Sequence, residues 1–120
     1  MRGLGDLEAD LMNVLWAAAA PMPVREVQDV LAAQKVRAYT TVMTVLDNLY
    51  RKGYVQRTKQ GKAFLYSATV SRAQAAADSM REVLSQAEDV QSALLHFANA
   101  MTDGESQALR DGLKRRRRSR

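Results

Sequence analysis

The segment YVQRTKQGKAFLYS, residues 54–67, places the tightest limit on the fold. Its two runs, residues 54–59 and 62–67, are rich in aromatic and β-branched residues, which are common in strands. Gln60-Gly61 separates the runs, and a two-residue connection that ends in glycine is typical of a tight turn between antiparallel strands. The segment therefore predicts a β-hairpin.

Three helices are predicted ahead of this hairpin. Apolar residues recur at helical spacing in residues 6–18, in a short segment from residue 24 to about residue 34, and from about residue 38 to 52. Gly53 follows the third helix, where glycine commonly adopts the left-handed conformation that ends a helix. Three helices followed by a hairpin are the order of a winged helix-turn-helix. We therefore predict a mainly α fold with a small β-hairpin wing.

The third predicted helix carries three threonines, although threonine is a poor helix former. On a helical wheel the apolar residues form one face, and the threonines lie on the other face with Asp47, Asn48 and Arg51. Short side chains allow a helix to approach a surface closely, and threonine can contact phosphates, base edges and the thymine methyl group. The polar face therefore suggests a DNA contact; the alternative is a set of ordinary exposed residues. The apolar face consists of Val42, Val45, Leu46 and Leu49, and the threonines are Thr40, Thr41 and Thr44.

Charge is distributed unevenly along the chain. Residues 35–62 carry seven Lys or Arg against Asp47 alone, a net charge of +6, which is the electrostatic pattern expected of a nucleic-acid contact. Residues 71–113 have a net charge of −4, and the tail KRRRRSR, residues 114–120, carries six basic residues. We expect this tail to be disordered. It either adds non-specific phosphate contacts or serves as a solubility tail.

Residues 71–113 are predicted to be helical, with capping-box patterns at Ser71 to Gln74 and Thr102 to Glu105. A segment of about 40 residues rarely buries a stable core by itself. We therefore predict a helical dimerisation region after a winged-helix domain in residues 1–70. The alternative is that these helices fold back on their own winged helix.

The composition argues against an enzyme and against a cofactor. There is no cysteine, and His96 is the only histidine, so a transition-metal site is not expected. The sequence contains no glycine-rich phosphate loop and no nucleophile-elbow pattern. It also contains no apolar run of the ~20 residues that a membrane span needs, and no signal-peptide pattern. We expect a cytoplasmic protein that does not associate with membranes.

The sequence resembles the BlaI/MecI penicillinase-repressor family of bacterial winged-helix transcription repressors. LGDLEADLMNVLW is similar to the first helix of the family, and VREVQDVL is similar to the second. AYTTVMTVLDNLYRKGYV resembles the recognition helix, and GKAFLYS resembles the returning strand of the wing. The resemblance covers nearly all of residues 4–113.

The resemblance implies a homodimer that represses transcription from palindromic operators, typically with TACA/TGTA half-sites, ahead of β-lactam-resistance genes. Thr40, Thr41 and Thr44 would lie in the major groove. Contacts to phosphates or groove edges would come from Arg37, Tyr39, Asn48 and Arg51, and Lys59 and Lys62 would lie at the wing tip over the DNA backbone.

Repression in this family is relieved by proteolytic cleavage in the C-terminal region, and the aligned pair here is His96-Phe97. The resemblance therefore implies an inducing protease of a membrane sensor pathway as a further partner. From the residues alone, a lone histidine is more often structural. The alternative function is a winged-helix module without an operator of its own, used in nucleoid architecture or in protein interaction.

Overall fold

A computed structural model describes residues 3–119 of the chain. The helices in this part are α1 (Asp6–Ala17), α2 (Val24–Leu31), α3 (Tyr39–Lys52), α4 (Arg72–Ser85), α5 (Val90–Ala100) and α6 (Asp103–Arg118). The strands are β1 (Met22–Pro23), β2 (Val55–Gln60) and β3 (Ala63–Ala68). The expected fold class, mainly α with a small hairpin wing, is confirmed.

The sheet is antiparallel and has the order β1-β3-β2. Strands β2 and β3 form the predicted hairpin, with Val55 opposite Ala68 and Gln60 opposite Ala63. The turn is Gly61-Lys62, one residue later than the sequence suggested, and Gly61 has a φ of 63°, a conformation that glycine adopts without strain. Strand β1 was not predicted; its two residues pair with Leu65 and Tyr66 of β3.

The core lies where α1, α2 and α3 meet the sheet. Leu11 and Met12 of α1, Val27 of α2, and Val42 and Leu46 of α3 are among its fully buried side chains. Burial of apolar surface contributes about 25 cal/mol for each Å², so these contacts supply most of the stabilisation that holds the three helices together. The helices form here because their apolar residues recur on one face, as the sequence predicted.

The chain divides into two compact units, the first ending at Glu82 and the second beginning at Val83. We expected the boundary at residue 70, but the first part of α4 belongs to the winged helix. Ala75 is buried in the core, and the buried Tyr54 donates its hydroxyl hydrogen to Asp78 Oδ2 over 3.1 Å. These contacts lie within the first unit and extend it by about three helical turns.

The second unit contains the end of α4 together with α5 and α6. Thr102 caps the N-terminus of α6 with the predicted capping box: Glu105 N donates to its hydroxyl over 3.1 Å, and Thr102 N donates to Glu105 Oε1 over 2.8 Å. None of residues 83–119 is buried. Seven large apolar side chains of this unit are between 41% and 70% exposed. These are Val83, Val90, Leu94, Leu95, Phe97, Leu109 and Leu113.

The basic tail extends α6. We expected residues 114–120 to be disordered, but α6 continues through Arg118, and Arg120 lies outside the described residues. Arginine and lysine are good helix formers, and positive side chains in the last turn interact favourably with the negative end of the helix dipole. The run of basic residues therefore does not interrupt the helix.

Candidate nucleic-acid interface

Helix α3 separates its apolar and polar residues as the wheel predicted. Val42, Leu46 and Leu49 are buried, and Gly53 closes the helix with a φ of 84°. The exposed face carries Thr40, Thr41, Thr44, Asn48 and Arg51. Within residues 3–119, the three threonine hydroxyls and the Asn48 amide make no side-chain hydrogen bond, so these polar groups are available to a ligand.

Two further predicted residues lie at the start of α3: Arg37 in the segment before the helix and Tyr39 as its first residue. Gln28 Nε2 of α2 donates to the Arg37 carbonyl oxygen over 2.9 Å, which ties this segment to α2. The Arg25 guanidinium lies 5.7 Å from the centre of the Tyr39 ring, within the range of a cation–π contact. Both Arg37 and Tyr39 are exposed. The contacts from α2 therefore fix the start of α3 and leave the side chains of these two residues accessible.

The predicted lysines of the wing lie at the closed end of the hairpin. Lys59 is opposite Phe64 near the end of β2, and Lys62 is in the turn. Both side chains are exposed, and among the described carboxylates none lies within ion-pair distance of either lysine. An exposed, unpaired ammonium group on a hairpin tip is well suited to contact a phosphate.

The basic segment is less available than its net charge suggested. Lys35 Nζ pairs with Asp10 Oδ2 at 2.6 Å, and Lys52 Nζ pairs with Glu8 Oε1 at 2.7 Å. Lys52 also donates to the Gly3 carbonyl oxygen over 3.3 Å and is partly buried. Lys35 therefore attaches the segment between α2 and α3 to α1, and Lys52 attaches the end of α3 to α1. Part of the charge in residues 35–62 stabilises the fold and is not presented to a ligand.

Arg57 was not among the interface residues predicted from the sequence. Its guanidinium lies 4.0 Å from the centre of the Tyr50 ring of α3 and 4.5 Å from the centre of the Phe64 ring of β3. Nη1 also lies 3.2 Å from Asp47 Oδ1. A hydrogen bond to Tyr66 is the largest of the effects that raise the pKa of the Arg57 guanidinium above its ordinary value. These partners join the wing to α3.

His96 and Phe97, the pair aligned with the cleavage site of the family, lie within α5 of the second unit. Both side chains are exposed, and the backbone is helical on either side of the bond between them. The side chains of His96 and Phe97 are therefore accessible, and the bond between the two residues lies within a regular helix.

The His, Asp and Glu side chains of the described residues form no group of three that could hold a metal ion. Among residues 3–119, no helix has both the length and the apolar character required to cross a bilayer.

A protein-family model matches nearly the whole chain. The family model described as "Penicillinase repressor" matches residues 4–115. The chain belongs to the penicillinase repressor family. The resemblance that the sequence motifs indicated is thereby confirmed.

Individual relatives support the assignment. The chain is 41% identical over 113 residues to the transcriptional regulator BlaI of Mycobacterium tuberculosis (strain CDC 1551 / Oshkosh), which covers 92% of this chain and 82% of BlaI. It is 31% identical over 70 residues to the methicillin resistance regulatory protein MecI of Staphylococcus aureus (strain N315), covering 56% and 54% of the two chains. The solution structure of the DNA-binding domain of the repressor BlaI matches 61% of this chain and 92% of that domain, with a TM-score of 0.53 and 25% identity.

Proposed function

We propose that this DNA-binding transcriptional repressor acts as a homodimer on palindromic operators of β-lactam-resistance-type genes. The observation that carries the proposal is the exposed face of α3, where three threonines and Asn48 have free polar groups beside a wing with two unpaired lysines. In a helix-turn-helix the second helix of the motif enters the major groove. Here that helix is α3.

Affinity and specificity are assigned to different residues in this proposal. Arg37, Lys59 and Lys62 present exposed positive charge, which supports contacts to phosphates and therefore binding to any sequence. Thr40, Thr41 and Thr44 present hydroxyl and methyl groups that can distinguish base edges in the major groove. Loss of a phosphate contact should weaken binding to all duplexes, whereas loss of a base contact should reduce the preference for the operator.

The second unit supports the homodimer. Its large apolar side chains, such as Leu94, Leu95 and Phe97, are about half exposed or more in the single chain. Soluble proteins rarely leave so many large apolar residues uncovered, and a second copy of the same unit would cover them by two-fold symmetry. A symmetric dimer also presents two copies of α3 to the two halves of a palindrome.

The relatives support regulation of resistance genes, because the MecI relative is named a methicillin resistance regulatory protein. Relief of repression by cleavage at His96-Phe97 belongs to the same proposal. Since a protease binds its substrate in an extended conformation, cleavage there would require α5 to unfold locally. We further propose that the chain is cytoplasmic and acts through DNA binding and not through catalysis.

Fluorescence anisotropy tests the proposal with two labelled duplexes, a TACA/TGTA palindrome and a scrambled duplex of the same composition, at two salt concentrations. A specific repressor should prefer the palindrome by at least about 10³-fold, and the preference should survive the higher salt. Equal affinity for both duplexes with a steep salt dependence would instead support an architectural role without an operator.

A further inference from the structure

Asp47 is an acidic residue on the recognition helix and has two arginine partners. Its Oδ2 lies 2.9 Å from Arg51 Nη2, one helical turn further along α3. Its Oδ1 lies 3.2 Å from Arg57 Nη1 of β2. Two guanidinium groups, one from the same helix and one from the wing, therefore share the Asp47 carboxylate.

The two arginines differ in how firmly they are held. The side chain of Arg51 is 74% exposed, and its contact with Asp47 is a surface pair of the kind that contributes little to stability. The side chain of Arg57 is 24% exposed and lies between the Tyr50 and Phe64 rings. Arg51 can therefore leave Asp47 at little cost, whereas Arg57 is held in place by aromatic partners from two elements.

An unpaired carboxylate on this helix would oppose DNA binding. A negative charge within about 10 Å of the phosphate backbone is only partly screened at ordinary ionic strength and repels it. If Arg51 moved from Asp47 to a phosphate and no second cation were present, Asp47 would be left unneutralised. Arg57 supplies that second cation.

We propose that Arg57 is the fixed counter-ion of Asp47 and thereby frees Arg51 to exchange its carboxylate partner for a DNA phosphate. This inference rests on the proposed DNA-binding function. Arg57 acts as a positioning residue, because its own guanidinium stays between the two rings. Asp47 holds Arg51 on the exposed face of α3 until DNA is bound, and the pair formed by Asp47 and Arg57 keeps the wing aligned with the helix.

The test compares four proteins with the wild type: Arg57→Gln, Asp47→Asn, the double variant Asp47→Asn/Arg57→Gln, and Arg110→Gln as a control. Arg110 is an exposed arginine of α6, so its substitution removes one positive charge outside the proposed interface. Dissociation constants for the palindromic and scrambled duplexes are measured by anisotropy. Circular dichroism and thermal unfolding establish that each variant is folded.

Arg57→Gln should weaken binding to the palindrome by about tenfold, because Asp47 then both repels phosphate and retains Arg51. Removal of the negative charge should reverse this loss, so that the double variant binds within about threefold of Asp47→Asn alone. The Arg110→Gln variant should bind like the wild type. If Arg57 served only to support the wing by stacking, Asp47→Asn would not rescue the Arg57→Gln variant.

The design separates failure of the inference from failure of the proposed function. A wild-type protein without preference for the palindrome would contradict the proposed function itself. A wild-type protein that prefers the palindrome, together with additive losses in the double variant, would overturn the role of Arg57 and leave the repressor function in place.

Discussion

Replacing Tyr54 by phenylalanine tests how α4 is held on the winged helix. Tyr54 is fully buried, and its hydroxyl donates to Asp78 Oδ2 over 3.1 Å. The substitution removes this hydrogen bond and changes the volume of the side chain very little. A hydrogen bond to a charged partner contributes about 1.5 kcal/mol, so at neutral pH the variant should be less stable than the wild type by about that amount.

The pH dependence makes the prediction sharper. Burial, followed by the hydrogen bond to Asp78 and the charge of its carboxylate, raises the pKa of Tyr54 to about 12. Because the folded pKa exceeds the unfolded value of about 10, this stabilisation is fully present below pH 10 and is lost as the pH rises towards 12. Over that interval the wild type loses about 1.4 kcal/mol for each pH unit, whereas a phenylalanine at this position does not ionise. At about pH 11 the wild type has lost about 1.4 kcal/mol, close to the advantage of about 1.5 kcal/mol that the hydrogen bond gives it at neutral pH. The two proteins should therefore have equal stability near about pH 11.

Urea unfolding of both proteins at about pH 7, 9 and 11 measures the difference. The protein concentration is held constant, because the proposed dimerisation would contribute to apparent stability. Other tyrosines are common to both proteins, so their ionisation cancels in the comparison. A difference that stays constant from neutral to alkaline pH, or that grows with pH, would refute the reasoning from Tyr54.

Further predictions concern the core, the apolar surface of the second unit, and the tail. Leu46→Ala should lower the free energy of unfolding by about 2–5 kcal/mol, because Leu46 is fully buried. Thr44→Ala, on the opposite face of α3, should change it by less than about 0.5 kcal/mol. If the two variants lost similar amounts of stability in urea unfolding, Leu46 would not belong to the core. Leu94→Asp should convert a dimer to a monomer in sedimentation equilibrium while the fold is retained, and an unchanged mass would exclude that surface from the interface. Replacing residues 114–118 by glutamine should reduce the salt dependence of binding to the scrambled duplex by about 0.9 in the logarithmic slope for each lost phosphate contact; an unchanged slope would leave the tail outside the DNA interface.

The local elements could be predicted because each has a signal within a few neighbouring residues. Helix α3 has an apolar face at helical spacing and a glycine that closes it, and the hairpin has two β-prone runs around a turn. The family resemblance added the expected site residues, and the structure places them on the exposed face of α3, in the segment before it, and at the wing tip. Whether these residues contact DNA remains a prediction.

Features that depend on contacts between distant segments could not be read from the sequence. Strand β1 is only two residues long and forms because Leu65 and Tyr66 lie beside it in the folded chain. Arg57 gains its role from Tyr50, Phe64 and Asp47, which come from two other elements. The net charge of residues 35–62 was likewise misleading for Lys52, because its partner Glu8 lies 44 residues earlier.

The extent of α6 has a local signal in the sequence. Lys114 and the arginines after it contain no helix breaker, and positive charge is favourable at the end of a helix. The domain boundary had no such signal. It depends on the contact between Tyr54 and Asp78 and on burial of Ala75, which attach the start of α4 to the winged helix.

The most direct test of the central claim is the ratio of dissociation constants for the scrambled and palindromic duplexes, measured for the wild type, Thr41→Ala/Thr44→Ala and Lys62→Ala. If the threonine face of α3 reads the bases, this ratio should be at least about tenfold smaller for the double threonine variant than for the wild type. A change of that size is what one mismatched base pair typically costs. The Lys62→Ala variant should bind both duplexes more weakly with the ratio unchanged. An unchanged ratio in the threonine variant would contradict the account, because sequence would then be read by residues other than these threonines.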